Sequence, residues 1–394
     1  MGKKVLIVGG VAGGASVAAR VRRLDESAEI VMFERGPYVS FSNCCIPFHI
    51  SGDIEKSESL VLMTPPEFDK QYNIDARVYN EVVAINKEEK TVSVKNVQTG
   101  ETYEEAYDVL FLAPGANAVR PRSIAGIDSK HVFVMKTVPD VAALTAYTKA
   151  NEVKDVAVVG GGYIGLEVAE NLKMAGYNVS LIEAQDQIMA PLDYDMVQII
   201  NREIMKNGVD LILKDSVQAI GSDEVTLASG RTVKAQAVVM AIGVSPENAL
   251  AKQAGLELGV AGSIKVNHHY QTSNPHIYAV GDAIETTCFF TGQKTQLTLA
   301  GPAQRQARAA ADHVYGRTYL NTGVIGSSSV KMFGLNSANT GLNEKQCQAR
   351  GIAYDFAYII PKDKVSIMPG AENLFFKLIF AVPSGKILGA QAVG

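Results

Sequence analysis

Two distant stretches of this chain read alike: "KKVLIVGGVAGGASVAARVRRL…AEIVMFERG" and "KDVAVVGGGYIGLEVAENLKMAGYNVSLIEAQ". In each, an apolar run passes into a glycine-rich turn, then a helical pattern, then a second apolar run that ends on an acid. The runs VLIVGG and VAVVGG suit central strands of a parallel sheet, which are buried on both faces and carry no polar alternation. A duplicated α/β unit is the simplest account.

The second copy has the full G-x-G-x-x-G spacing at Gly160, Gly162 and Gly165, and Glu183 closes the strand that follows. Glycine lets the backbone turn sharply and approach a pyrophosphate. The helix behind it offers unpaired N–H groups and the positive end of its dipole. The acid accepts hydrogen bonds from ribose hydroxyls and repels a 2′-phosphate, and no arginine follows Glu183 in EAQDQ. The pattern favours NADH over NADPH. The first copy runs Gly9, Gly10, Val11, Ala12, Gly13, Gly14, with Val11 in place of the middle glycine and Glu34 at the strand end. Two Rossmann-like folds, each with its acid, imply two different dinucleotides.

Later motifs assign the first of them. YDVLFLAPGANAVRP carries Ala113 and Gly115, where the chain is expected to leave one domain for the next; AQAVVMAIGVSPE, with Gly243, is expected to bring it back. In NPHIYAVGDAIE, Asp282 follows a strand and a glycine, a position from which a carboxylate can hold flavin ribityl hydroxyls. TLAGPAQRQARAAADHVYG then reads as a helix with Ala300 at its start and Pro302 in its first turn. Its positive end suits negative charge on a reduced flavin. FAD is therefore expected at Gly9, Val11, Ala12, Gly13, Gly14, Glu34, Arg35, Ser42, Ala113, Gly115, Asp282 and Ala300. NADH is expected at Gly160, Gly162, Tyr163, Ile164, Gly165, Glu183 and Gly243.

Composition narrows the partners. Of 394 residues 47% are apolar and 20% charged, and the net charge is −4 with no basic block, so nucleic acid and anionic membranes are poor candidates. No apolar run reaches the ~20 residues that span a bilayer. Lys3 and Lys4 before an apolar run imitate a signal peptide, but glycines interrupt it and Arg20, Arg22 and Arg23 follow. A reducing cytoplasm is the expected compartment. Cys44, Cys45, Cys288 and Cys347 form no C-x-x-C pair, and the six histidines show no ligand spacing, so no metal site is expected.

This order of motifs resembles the pyridine nucleotide–disulfide oxidoreductases over nearly the whole chain. The resemblance implies an FAD-binding domain at 1–118 and 243–320, an NADH-binding domain inserted at 119–242, and from 321 to 394 part of an α+β interface domain that pairs two copies as a homodimer. The stretch SFSNCCIPF, starting at Ser40, narrows the branch. Members with two redox cysteines separated by four residues have no counterpart here. NADH oxidases and peroxidases carry a histidine in the first glycine turn, where this chain has Ala12. The chain is similar instead to coenzyme A-disulfide reductases and NADH-dependent persulfide or polysulfide reductases, which carry S-F-x-N-C-x-x-P-Y; Phe48 stands in place of the tyrosine.

That similarity implies Cys44 as the single redox cysteine with Asn43 beside it, and Arg20, Arg23 and Ser40 as contacts to a coenzyme A-linked disulfide or persulfide. Tyr163 matches an aromatic residue that covers the flavin until nicotinamide enters, and Glu167, one helical turn on, is placed to bond the nicotinamide amide. Asn43 is expected to cap a short helix begun by CCIPFHI, whose positive end would favour the Cys44 thiolate. NADH is expected to reduce the flavin, and the electrons to reach Cys44. The Cys44 thiolate attacks a disulfide and forms a mixed disulfide, or takes the terminal sulfur of a persulfide. Cys45 reads as a packing residue; a vicinal disulfide and a resolving thiol are the other readings. Cys288 and Cys347 read as packing residues.

Two departures bear on the substrate. VSIMPGAEN puts Ile367 and Met368 where coenzyme A-disulfide reductases carry two tyrosines, and neither offers an acidic hydroxyl. The final segment, NLFFKLIFAVPSGKILGAQAVG, looks like only part of the interface domain, so either the substrate differs or the chain is a fragment. The other functional readings are an NADH oxidase or peroxidase that forms a sulfenate at Cys44, and a flavoprotein electron carrier or redox sensor that docks a protein.

Overall fold

The computed structural model describes residues 2–319 and 321–394. Residues 1 and 320, at the outer ends of the segments expected to bind FAD, lie outside the described residues. The chain divides into two compact units: Met1–Ser42, Glu58–Asn117 and Val244–Val324 form the first, and Asn43–Ser57, Ala118–Gly243 and Ile325–Gly394 the second.

In the first unit, the described strands form a parallel sheet in the order Ile277–Ala279, Val109–Leu112, Lys4–Val8, Glu29–Glu34, Asp75–Val78. VLFL is buried along its whole length and KVLIV along all but its first residue, as central strands covered on both faces require. The helices Ala12–Leu24 and Ala300–Val314 pack on one another. Small residues on both, including Ala18, Ala307 and Ala310, are buried at the core and let the two backbones approach. Register aligns Val8 with Phe33 and Leu112, and Leu112 with Ala279. The next residues, Gly9, Glu34, Ala113 and Val280, therefore stand in one row at the carboxyl edge of the sheet, where open α/β folds bind ligands.

The second unit repeats the plan. Its described parallel strands run Asp210–Leu213, Asn178–Glu183, Asp155–Val159, Ala237–Met240, Val132–Val134. It also holds an antiparallel sheet in the order Ser327–Met332, Leu335–Gly341, Ile387–Val393, Phe375–Ala381, Tyr354–Ile359. The edge strand Tyr354–Ile359 and the loop after it expose Phe356, Ile359, Ile360, Val365, Ile367 and Met368. No helix among the described residues is long and apolar enough to cross a membrane.

A buried charge fastens the antiparallel sheet within this unit. Lys377, wholly buried, points its ammonium at Asp193 (3.3 Å), Asp195 (2.9 Å) and Glu344. It also lies 4.3 Å from the centroid of the Phe356 ring. Burial alone would lower the Lys377 pKa, but the hydrogen bonds its ammonium donates to Glu344 and Asp195 outweigh it and the pKa is raised. The stabilisation is therefore fully present below the ordinary lysine pKa and is lost only as pH rises through the higher folded value. Removing the cation leaves carboxylates unpaired in the interior. Lys377→Met is expected to lower the unfolding free energy by about 3 kcal/mol, the low end for a broken buried pair because Asp195 is half exposed. Urea denaturation measures it, and a loss below about 1 kcal/mol would contradict this assignment.

Candidate active site

The first glycine turn is shaped by close approach. Gly9 has a positive φ of +96°, and a Cβ there would stand 2.1 Å from the Ala113 carbonyl oxygen. A Cβ on Gly14 would stand 1.8 Å from the Gly9 oxygen, so only glycine lets the helix Ala12–Leu24 seat this closely behind the strand. Val11 precedes that helix without a capping side chain, and its first turn holds no acid. Elsewhere Thr64, Thr137 and Asn343 build capping boxes. The bare N–H groups fit a pyrophosphate. Glu34 accepts hydrogen bonds from the Gly10 N–H at 3.0 Å and the Gly36 N–H at 2.9 Å, which fixes the carboxylate beside the turn.

The other residues expected around FAD are distributed as follows. Ala113 donates its N–H to Val8, closing the same row. Gly115 follows it, and no atom lies within 4 Å of a Cβ built there. Asp282 sits half-exposed in a short 3-10 turn, Gly281–Ala283. The Gly281 N–H bonds to Gln306 Oε1 at 2.8 Å, and the buried Gln306 Nε2 has no acceptor among the described residues. Ala300 opens its helix, again without a capping side chain or an acid in the first turn. Arg35 is exposed and lies 3.5 Å from Glu247. Ser42 donates its N–H to Leu60. These bare helix starts, the glycine cradle and the unpaired amide donor fit an anionic, polar-edged cofactor.

Of the residues expected to meet substrate, Arg20 is committed to Asp312, with Nη2 at 2.6 Å. Arg23 is exposed on the same helix. Arg22 staples the carbonyls of Tyr72 and Asn73. Ser40 bridges the Gly10 carbonyl and the Leu62 N–H through its backbone.

The second glycine turn repeats the geometry in its own unit. A Cβ on Gly160 would stand 2.4 Å from the Ala241 oxygen, and one on Gly165 1.8 Å from the Gly160 oxygen. Gly162 differs: a Cβ there meets nothing within 4 Å, and its φ is −80°. Protein packing does not demand this glycine, and the open space in front of the helix suits a phosphate. Glu183 accepts from the Gly161 N–H at 2.7 Å and the Gln185 N–H at 2.8 Å, as Glu34 does in the first copy. Gly243 follows the strand Ala237–Met240, and its surroundings are open too. Ile164 is 37% exposed on the opening turn of the helix.

Cys44 lies in the same unit as this second turn. Asn43–Cys45 form a single 3-10 turn, and the helix that follows, Phe48–Ser51, packs against the helix Tyr163–Met174. The expected Asn43 cap is absent. The Asn43 amide instead donates to the Lys136 carbonyl at 3.0 Å, and the α-helix begins only after Pro47. Proline five residues after the start of SNCCIP breaks the run before a helix can form over Cys44. No macrodipole therefore favours the thiolate. Cys44 is exposed as a residue, yet partial desolvation pushes its thiol up, and the charges of Glu167 and Cys45 add to this. Glu167 is itself pushed up to about 7 by burial and by Glu170. No disulfide joins any of the four cysteines; Cys45 is half-buried and Cys347 buried.

Residues 3–307 match the family described as pyridine nucleotide-disulphide oxidoreductase, and residues 327–394 match its dimerisation domain. The chain belongs to the pyridine nucleotide-disulphide oxidoreductases. Coenzyme A disulfide reductase of Staphylococcus epidermidis is 34% identical over 392 residues, spanning 99% of this chain and 88% of that protein. The structure of reduced Bacillus anthracis CoADR-RHD matches at a TM-score of 0.98 and 46% identity, covering 100% of this chain and 71% of that one. A NAD-dependent persulfide reductase from A. fulgidus matches at 0.95 and 31% identity, covering 99% and 74%. The two Rossmann-like sheets and the C-terminal sheet are the family's architecture, and FAD and NADH are its cofactors.

Glu167 contributes to the electrostatics at Cys44. Sequence reasoning missed the Glu167–Cys44 coupling because it depends on how two segments pack, and it missed Gln306 because a glutamine on an alanine-rich helix gives no signal. Glu167→Gln removes a charge that raises the Cys44 thiol, so the thiol pKa should fall. Alkylation of Cys44 by iodoacetamide at pH 7, followed by peptide mass spectrometry, is expected to run a few-fold faster than in the wild type. An unchanged or slower rate would contradict the coupling.

Proposed function

We propose that this chain is an FAD-dependent NADH oxidoreductase that reduces a low-molecular-weight disulfide or persulfide, coenzyme A-linked, through Cys44. The observation that carries the reading is an exposed free thiol on a segment packed against the helix of the NADH turn. FAD is held by Gly9, Val11, Ala12, Gly13, Gly14, Glu34, Arg35, Ser42, Ala113, Gly115, Asp282 and Ala300, in a domain of residues 1–118 and 243–320. NADH is held by Gly160, Gly162, Tyr163, Ile164, Gly165, Glu183 and Gly243 in residues 119–242. Bound there, FAD would supply the two-electron chemistry that links NADH oxidation to sulfur reduction.

The chain's own residues do the rest. Asn43, anchored to the Lys136 carbonyl, fixes the turn that presents Cys44. The Cys44 thiol loses its proton, and its Sγ attacks one sulfur of R–S–S–R. The S–S bond breaks, RS⁻ leaves, and Cys44–S–S–R remains for reduction. With a persulfide R–S–SH, the same thiolate attacks the terminal sulfur, the S–S bond breaks, RS⁻ leaves and Cys44–S–SH remains for reduction. Arg23, exposed on the first helix, and Arg20 and Ser40 are the substrate-side contacts in this reading. Glu183 disfavours a 2′-phosphate, so NADH is preferred.

Residues 321–394 form the interface of a homodimer, which the family's dimerisation domain and the exposed apolar edge around Ile359 and Ile367 support. Four cysteines outside any disulfide fit a reducing compartment, the cytoplasm in this reading.

Anaerobic turnover should be compared on coenzyme A disulfide, coenzyme A persulfide, polysulfide and hydrogen peroxide. Cys44→Ser is expected to lose more than about a thousandfold in rate on the best sulfur substrate while its flavin is still bleached by NADH. Full activity in that variant, or peroxide as the best substrate, would overturn the reading. NADPH is expected to be the poorer reductant by tenfold or more, on the order of one lost charged contact.

A further inference from the structure

We propose that Asn343 and Lys345, at the start of the short helix Glu344–Ala349, are positioning residues for NADH binding: they hold the segment that braces the second glycine turn. The inference rests on the reading of that turn as the NADH site. Gly161, inside the turn, is gripped from two sides. Its N–H donates to Glu183 at 2.7 Å, and its carbonyl accepts the Met189 N–H at 2.8 Å. A Cβ on Gly161 would stand 2.4 Å from Ile188 Cγ2, so Ile188 rests directly on the turn. Ile188 and Met189 belong to residues 184–192, a stretch with no helix or strand of its own. Met189 makes its contact from the left-handed region, at φ +48°. A residue with a side chain stays there only where its surroundings enforce it.

The enforcement comes from the C-terminal part of the same unit. The Ala190 carbonyl, next along the chain from Met189, accepts a hydrogen bond from Asn343 Nδ2 at 2.9 Å. Gln187 is 3% exposed; its Nε2 donates to the Leu192 carbonyl at 2.9 Å, and its Oε1 accepts from Lys345 Nζ at 2.9 Å. The Leu192 N–H returns to the Met189 carbonyl at 2.9 Å, which closes the loop around Met189. Lys345 also lies 3.4 Å from Asp186. Asn343 is buried and serves two segments at once. Its Oδ1 accepts the Gln346 N–H at 2.8 Å and caps the helix, while its Nδ2 reaches Ala190. An aspartate would cap equally well but has nothing to donate to Ala190. Without these two fastenings the left-handed residue can relax, and Gly161 loses the bond on its carbonyl. The nucleotide must then order the turn as it binds, which weakens binding.

The test uses the FAD-loaded enzyme. It reads NAD⁺ affinity by calorimetry, steady-state kinetics on NADH and on coenzyme A disulfide, and hydrogen exchange of the peptide containing Met189. Asn343→Ser keeps a capping oxygen and removes the amide; Lys345→Met keeps the stem and removes the ammonium. Each is expected to raise the NAD⁺ Kd and the NADH KM by about two- to tenfold, with kcat and the disulfide KM unchanged within about twofold. Exchange across Met189 is expected to speed up in both, which a fastening remote from the turn would not produce. Lys345→Arg keeps a donor for Gln187 and is expected to stay within about twofold of wild type. Melting temperatures close to wild type establish that the variants fold, and Lys345→Met, at an exposed side chain, decides the matter alone if Asn343→Ser does not. Unchanged NAD⁺ affinity in the folded variants, or an equal rise in the disulfide KM, overturns the inference. Wild-type enzyme that binds neither NAD⁺ nor NADH overturns the reading of the turn, and this inference with it.

Discussion

The packing of a helix onto a strand through glycine, with no side chain between them, underlies the rest of the structure. At Gly14 and again at Gly165, a Cβ would stand 1.8 Å from the carbonyl oxygen of the turn's first glycine. A methyl group at either position would push the helix away from the sheet edge. With the helix seated, its uncapped N–H groups face the carboxyl ends of the strands, and the acid of the next strand, Glu34 or Glu183, can lock onto the turn. The phosphate-binding geometry is thus a product of sterics before it is one of electrostatics, and the chain builds it twice.

The thiol presents the opposite case, in which the surroundings do not by themselves favour the reactive form. Cys44 sits on a three-residue turn, with desolvation and the Glu167 charge both holding the proton on sulfur. Glu167, pushed up to about 7, is partly neutral near physiological pH, and each proton it takes relieves the thiol of one repulsive charge. Reactivity at Cys44 is therefore coupled to the protonation of a neighbouring acid. That coupling would show as a pH dependence below the ordinary thiol range.

Much of this was legible in the sequence, and the parts that were share a cause. The glycine turns, their acids and the strand ends at Ala113 and Asp282 are local patterns, because backbone turns and residues at short spacing build them. The α/β architecture and the C-terminal sheet followed from the same motif order. What escaped depends on residues far apart in the chain. Lys377 reads as an ordinary strand lysine until Asp193, Asp195 and Glu344 close around it. Ser328 and Asn339 are unremarkable hairpin residues until Tyr163 reaches them. The one local expectation that failed, a helix capped by Asn43, failed for a local reason: Pro47 sets the helix start too late to include Cys44.

The most direct test of the account is chemical capture of the sulfur exchange. Oxidised, FAD-loaded enzyme is mixed with coenzyme A disulfide without NADH, quenched in acid, digested and mapped by mass spectrometry. The expected adduct is a single coenzyme A joined through a disulfide to the peptide carrying Cys44 and Cys45, localised to Cys44 by fragmentation and discharged when NADH is added before the quench. Coenzyme A found instead on Cys45, Cys288 or Cys347, or an adduct on Cys44 that NADH leaves in place, would contradict it.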